Sequence, residues 1–549
     1  MKALDLAGRA LRVAEGDEAL ALVQSERSGM ARFAGSEVHQ PTLIENETVE
    51  LQVVRDGRLG IATGNRTDDE GLRALASRAA EAAESAPPDP DFPGLAPPAE
   101  TPAVEGFDEE AAALGAEDQA RLAAAAIEAS DLDLYGFFTS GVTGIAIAST
   151  TGVALEQELT DVATLALAAV DGASGYAEQT GWRVSDVDPG AAAVEAAENA
   201  KLTRGAVELE PGSYPAVLEA PAFAELLAYF AFDAFGALGL IEERSYAFDK
   251  LGQQVFDERF SLADDALDPL GLPKAFDFEG SPKQRVQLVQ DGVLESVVWD
   301  RATAARAGNG QQTTGHAPPS SLRHWGPLAV ALSVAGGEAD SPAALAETRG
   351  DGIYVTRLHY LSIVDPREGI VTGMTRDGTF RIRGGRLADP LVNLRFTVSV
   401  PQLLAELPGL TREPMLINQN AYYDERYPTG LRSPAVATAR FDVTGVGSGP
   451  ESDPAVVDRA ELVLAPAAQA RRDEPCVGDP RDRHERVRMP VGRQRRQLRV
   501  SRREPHELGV VAADVRAETE IAPGGDKQVR AVGEHRVRPR REAHGELRQ

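Results

Sequence analysis

The sequence predicts an α+β protein, with N-terminal and central α/β units followed by a large, mostly antiparallel β C-terminal domain. Two textures point there. Up to about residue 211, alanine-rich stretches with helical spacing alternate with strand-like runs. From Gly212 onward, short alternating segments separated by glycine turns take over. The chain has 549 residues, 43% of them hydrophobic, which is enough for several cores.

Residues 1–86 read as an N-terminal α+β domain. Leu4–Ala14 has helical spacing and Ala19–Ser25 is a short strand. Val49–Arg55 and Leu59–Thr63 flank Asp56-Gly57, a hairpin-turn dipeptide. Asp68 and Asp69 offer caps for a helix running to Ser85. Residues 87–106, with prolines at 87, 88, 90, 93, 97 and 98, read as a stiff linker. A central α+β domain, 107–211, follows. It holds a helix over 108–129, strands at 132–139, 144–149 and 163–169, and a helix opened by Pro189. The C-terminal β-rich domain, 212–446, contains a helix from Pro221 to about Leu240. Its strand runs are separated by Asp291-Gly292, Asp377-Gly378 and Gly384-Gly385, all read as turns.

The tail, 447–549, is different: Arg-rich, free of aromatic residues and without periodicity. It reads as a disordered basic arm or as out-of-frame translation of a GC-rich gene, and the second reading is preferred.

The formal net charge of −29 conceals a split. The last 79 residues carry 20 basic and 14 acidic side chains, so the preceding 470 carry a net −35. That field argues against direct nucleic-acid contact. Lysine is scarce, six against 50 arginines. An acidic, lysine-poor surface suits a cytoplasm at high salt, which makes a halophilic source the expectation. No apolar run is long enough to span a bilayer, and the N-terminus lacks a signal-peptide pattern, so a cytoplasmic location is expected. The single cysteine, Cys476, allows no disulfide within the chain.

The search for chemistry returns mostly absences. No histidine pair has the HExxH spacing, and the Walker, GxGxxG and GxSxG patterns do not occur. His316 and His324 flank a Pro-Pro loop but have no third ligand for zinc. Asp264-Asp265 reads as a solvated turn. His359, in the strand IYVTRLHYLSIV, shares a face with Arg357 and Leu361 in strict alternation and reads as a wet-face histidine. Lys250 stands in no context that would activate a carbonyl.

Several segments, in order, resemble one family. ARFAGSEVHQ and VELQVVRDGRLGIATGN resemble the N-terminal domain of the TldD/PmbA family, the peptidase family of the so-called modulators of DNA gyrase. RSYAFDKLGQQVFDERFSLADD, DGVLESVVWDRATAARAGNGQQTTGHA and VTGMTRDGTFRIRGGRLADPLVNLRFT are similar to its later segments. TldD-type chains of that family carry HExxxH on a helix and, with a later cysteine, hold a metal. PmbA-type (TldE-type) chains lack the motif. Aligned to it, the helix after Pro221 places Ala228, Tyr229 and Asp233 at the histidine, glutamate and histidine positions. The resemblance therefore implies a chain with no catalytic or metal site of its own, acting as the non-metal subunit of a metallopeptidase complex. Zinc or a similar metal would sit in a TldD-type partner, and the heterodimer would cleave small or unfolded peptides. Alternatives are a homodimeric peptide-binding scaffold without catalysis, or a self-sufficient hydrolase using His316 and His359. Ser245, His316 and Arg395 are the candidate positions facing a substrate chamber.

Overall fold

The first half of the chain builds one six-stranded sheet with helices on one face. The structure, a computed structural model, describes residues 3–420 and 426–447, all within the unit Met1–Val477. The strands are β1 (Glu18–Ala34), β2 (Glu37–Arg55), β3 (Arg58–Gly64), β4 (Asp133–Ser149), β5 (Ala154–Val170) and β6 (Ala173–Gly181). They pair antiparallel in the order β3-β2-β1-β4-β5-β6. The boundary expected between a 1–86 and a 107–211 domain is therefore crossed by the sheet. β1 pairs with β4 from Leu20↔Ser149 to Phe33↔Gly136. Each set of three strands would otherwise expose a long unpaired edge, and joining them removes both edges.

Pattern reading shortens these strands. Residues 132–139 and 144–149, read as two strands, form the single β4. Gly141 between them and Gly144 at the start of the second allow close approach rather than a turn: a Cβ at Gly141 would lie 2.6 Å from the Arg426 Nε, and one at Gly144 would lie 2.4 Å from the Ser25 Oγ. The Asp56-Gly57 turn does form, with both residues at positive φ (49° and 69°), as a two-residue hairpin requires.

Helices α1 (Ala3–Val13) and α2 (Asp69–Ser85) cover one end of the sheet. Leu6, Ala10, Leu72, Leu75 and Ala79 pack on Val23, Val49 and Leu51. Asp68 caps α2 by accepting from the Gly71 amide. The helix expected over 108–129 is broken at Leu114-Gly115 into α3 (Glu109–Ala113) and α4 (Ala116–Glu128). α4 and α5 (Pro189–Leu202) seat Ala123, Ala126, Ala192 and Ala196 against Phe33 and Phe138. Alanine on both helices brings them close to the sheet.

The C-terminal part holds two further sheets around α6 (Ala220–Ala234). It runs through β7 (Gly212–Leu218), α6, α7 (Ala237–Ile241), β8 (Leu262–Asp264), β9 (Val286–Gln290), β10 (Val293–Leu294), α8 (Arg301–Ala307), β11 (Leu332–Val334), α9 (Pro342–Arg349), β12 (Gly352–Asp365), β13 (Ile370–Arg383), β14 (Arg386–Pro390), β15 (Leu394–Ser399), α10 (Val400–Leu404), β16 (Gly409–Leu410), β17 (Met415–Asn418), β18 (Gly430–Ser433) and β19 (Val436–Val446). One sheet has the order β10-β9-β8-β11-β18-β17. In the other, β12, β7, β19, β15 and β13 follow one another, and a β12–β13 pairing closes them into a five-stranded ring. Phe223, Leu226, Leu227 and Phe230 of α6 join the core with Leu262, Leu288, Val355 and Phe396.

Asp377-Gly378, read as a turn, lies inside β13. The positive φ of both residues (54° and 144°) marks an irregularity in the β12–β13 register between Val355 and Arg357. The tail expected over 447–549 lies, from residue 448 on, outside the described residues, as does Cys476.

Candidate functional site

Helix α6 carries the positions at issue. Pro221 opens it, and it ends at Ala234 rather than near Leu240. Gly236 then leads into the short α7. Ala228 packs against the core and has no donor atom. Tyr229 is 4% exposed; burial and the nearby Glu225 push its hydroxyl well above the ordinary tyrosine range, so it stays protonated. Asp233 accepts from the Arg244 Nη1 at 3.2 Å, and its burial raises its pKa against that pairing. These three side chains do not fit a divalent metal. One lacks a ligand atom, one holds its proton, and one is already ion-paired.

One turn before Tyr229, Glu225 faces Glu178 of β6 and Arg357 of β12. Burial raises both carboxyls to about 7, with the Arg357 charge pulling the other way. Arg357 bonds Asp377 at 3.0 Å and lies 3.9 Å over the Tyr176 ring. Glu178 accepts from the Tyr176 side chain and the Asn418 backbone. His359 is not the wet-face residue the alternation predicts: it is 4% exposed and its Nε2 has no hydrogen-bond partner. Burial, with Arg357 and Arg376 behind it, lowers His359 to about 2 and keeps it neutral. Past His359 the register shifts and Tyr360 takes a positive φ of 53°, so strict alternation fails there.

The polar line continues away from α6. Asn420 Nδ2 reaches Asp161 of β5 at 3.4 Å. Asp161 holds Arg426 through Nε (2.7 Å) and Nη2 (2.6 Å), with side-chain exposures of 0% and 3%. Beyond it, Lys274 and Lys283 are both buried. His316 is buried as well. Its Nε2 meets Asp264 Oδ1 at 2.9 Å, and its Nδ1 meets the Thr314 hydroxyl at 2.9 Å. Burial lowers His316 and overrides the Asp264 charge. The neutral ring thus donates from Nε2 and accepts at Nδ1. Asp264 is held below the usual carboxylate range by His316, despite complete burial. The solvated turn expected at Asp264-Asp265 is thereby corrected: Asp264 ends β8 inside the core, because β11 pairs alongside it.

The sequence-chosen chamber positions scatter. His316 is enclosed with Asp264. Ser245 is fully buried, and its hydroxyl has no partner. Arg395 is exposed on β15. His324 is exposed on a turn, apart from the enclosed His316. Lys250 pairs with Asp249 and lies over the Tyr246 ring. Among the described residues, no three His, Cys, Asp or Glu side chains cluster as a metal ion requires. Sequence reading missed Glu178, Glu225, Asp161, Arg426, Lys274 and Lys283. One signal was available: two of only six lysines lie nine residues apart, in KAFDFEGSPK.

Comparison with known proteins places this arrangement. Residues 19–83 match a model described as PmbA/TldA metallopeptidase domain 1, and residues 211–445 match one described as the PmbA/TldA metallopeptidase C-terminal domain. Together they cover more than half of the chain and define a protein built from peptidase-family domains. The chain belongs to the TldD/PmbA family.

Solved structures share the fold. TldE from Thermococcus kodakarensis superposes with a TM-score of 0.70 at 18% identity, covering 80% of this chain and 99% of that one. A Thermotoga maritima protein described as a modulator of DNA gyrase has a TM-score of 0.68 at 19% identity, with 80% and 99% coverage. An uncharacterised Methanocaldococcus jannaschii protein is 28% identical over 195 residues, 35% of this chain and 45% of its own length.

Proposed function

We propose that this chain is the non-metal subunit of a TldD/PmbA-type peptidase complex, completing a chamber whose metal is held by a TldD-type partner. The observation that carries the reading is α6. The positions aligned with HExxxH hold Ala228, Tyr229 and Asp233. The last two are committed elsewhere, one to its own proton and one to Arg244. The family's peptidase role then requires a second chain. Small or unfolded peptides bound in extended form are the proposed substrates, because main-chain hydrogen bonding gives affinity with little sequence choice. Zinc or a similar metal in the partner would supply an activated water for hydrolysis. This chain contributes walls and charge.

The hydrolase alternative finds no support at His316, whose ring nitrogens are occupied by Asp264 and Thr314. The test is to purify the chain alone and with a TldD-type chain, then measure metal and peptidase activity in each. The expected result is substoichiometric metal and no activity alone, with both gained in the complex. One tightly bound zinc per isolated chain would overturn the proposal.

A further inference from the structure

A small cleft opens where β1, β2, the proline-rich linker and the start of α8 meet. Its free space, counted where the centre of a water-sized group can sit, is about 30 Å³, so it encloses a group of a few heavy atoms. Arg301 and Arg323 both line it, and among the described residues neither makes an ion pair. Elsewhere in the chain Arg55, Arg244, Arg357 and Arg432 each hold a carboxylate. Arg301 gives its Nη2 to the carbonyls of Pro93, Gly94 and Leu95 at 3.5, 3.4 and 3.2 Å, which leaves its charge unmatched, and its Nε is buried without a partner. The Arg323 guanidinium lies 5.9 Å from the Phe92 ring centroid and makes no hydrogen bond with a described residue. The two carboxyls of the lining are engaged elsewhere. Asp300 accepts from the Thr303 amide and hydroxyl at 2.7 and 2.6 Å. Glu279 accepts from the Arg301 amide at 3.3 Å. Burial, with Asp277 and Asp300 nearby, raises Glu279 to about 8, so at pH 7 it carries its proton.

We propose that this cleft binds the carboxylate group of a small monocarboxylic acid, held by Arg301 and Arg323. Charge sets the valence. Among the lining side chains, Asp300 offsets one guanidinium and protonated Glu279 offsets neither. Asp277, outside the lining, faces Lys283. One positive charge therefore remains, enough for one negative group and not two. Shape sets the kind of group, since a guanidinium is a planar fork of donors that matches a carboxylate. The protonated Glu279 adds a donor of its own. Leu20, Phe92 and Phe278 provide an apolar wall for a short carbon chain. The described lining includes no residue of α6, so the site is independent of the proposed subunit role and requires no partner chain.

The test uses the full chain at pH 7 and constant ionic strength. Saturation-transfer NMR follows propionate, with propionamide as the uncharged analogue of the same size and sulfate as a dianionic competitor. The expected result is a saturable signal from propionate and none from propionamide, with the affinity for propionate at least about fivefold weaker in Arg323→Gln. Propionate-soaked crystals of the unaltered protein should show its carboxylate in contact with both guanidiniums, which keeps the test decisive should the variant fail to fold. Equal signals from propionate and propionamide overturn the proposal. So does a propionate affinity unchanged in Arg323→Gln, or displacement of propionate by an equal concentration of sulfate.

Discussion

Removing Arg426 should be among the most damaging single changes outside the apolar core. Its guanidinium joins the segment before β18 to Asp161 in the middle of β5. It makes two parallel bonds of 2.7 and 2.6 Å to the carboxylate and a third, 3.2 Å, to the Thr139 hydroxyl. Arg426→Ala leaves the Asp161 carboxylate fully enclosed, with Asn420 Nδ2 at 3.4 Å as its remaining side-chain donor. Breaking a buried pair on one side costs about 3–5 kcal/mol. Replacing both partners by apolar groups of similar volume, Asp161→Leu with Arg426→Met, removes the stranded charge and should recover most of that loss. Urea unfolding of Asp161→Leu, Arg426→Met and the double variant closes the cycle. The reasoning fails if Arg426→Ala costs under about 1 kcal/mol, or if the double variant is as unstable as the single. Gly141→Ala gives an independent check. Its Cβ would fall 2.6 Å from the Arg426 Nε and should produce part of the same loss.

Other changes probe the rest of the polar line. Glu225 is raised from 4.5 to about 7, so the folded state binds its proton more tightly than the unfolded chain does. Stability should therefore fall in the unaltered protein relative to Glu225→Gln as pH rises from about 4.5 to 7, and level off above; a constant difference across that window would count against the assignment. His316→Ala removes the Nε2 donor to a buried carboxylate and should cost about 3 kcal/mol by denaturant titration. Because burial lowers His316, the unfolded chain binds its proton more readily. Part of the unaltered protein's stability should thus disappear as pH falls below about 6.5, and the variant should lack that loss. Gly57→Ala, at a φ of 69°, should cost roughly 1 kcal/mol in thermal unfolding without changing metal content or partner binding.

Local chemistry was legible in the sequence. Asp56-Gly57 turned the hairpin, Asp68 capped α2, and Pro189 and Pro221 opened α5 and α6. Alanine spacing exposed the helices that pack on the first sheet. Ala228, Tyr229 and Asp233 could be read directly from the α6 sequence, and with them the mismatch to a metal motif. Strand length was not legible. Gly141 and Asp377-Gly378 look like breaks, but each lies inside a paired strand because neighbouring strands supply the hydrogen bonds on either side.

The sequence by itself determined the fold class, the family and the replacement residues on α6, because these depend on residue identity and short-range spacing. Tertiary structure decided the joining of the first six strands into one sheet, which depends on pairing between residues more than 100 positions apart. It also decided the meaning of the charges. Asp264 and His359 read as wet residues. Only folding places both inside the core. Burial is a property of what packs on top of a residue, and a single strand's pattern does not contain it.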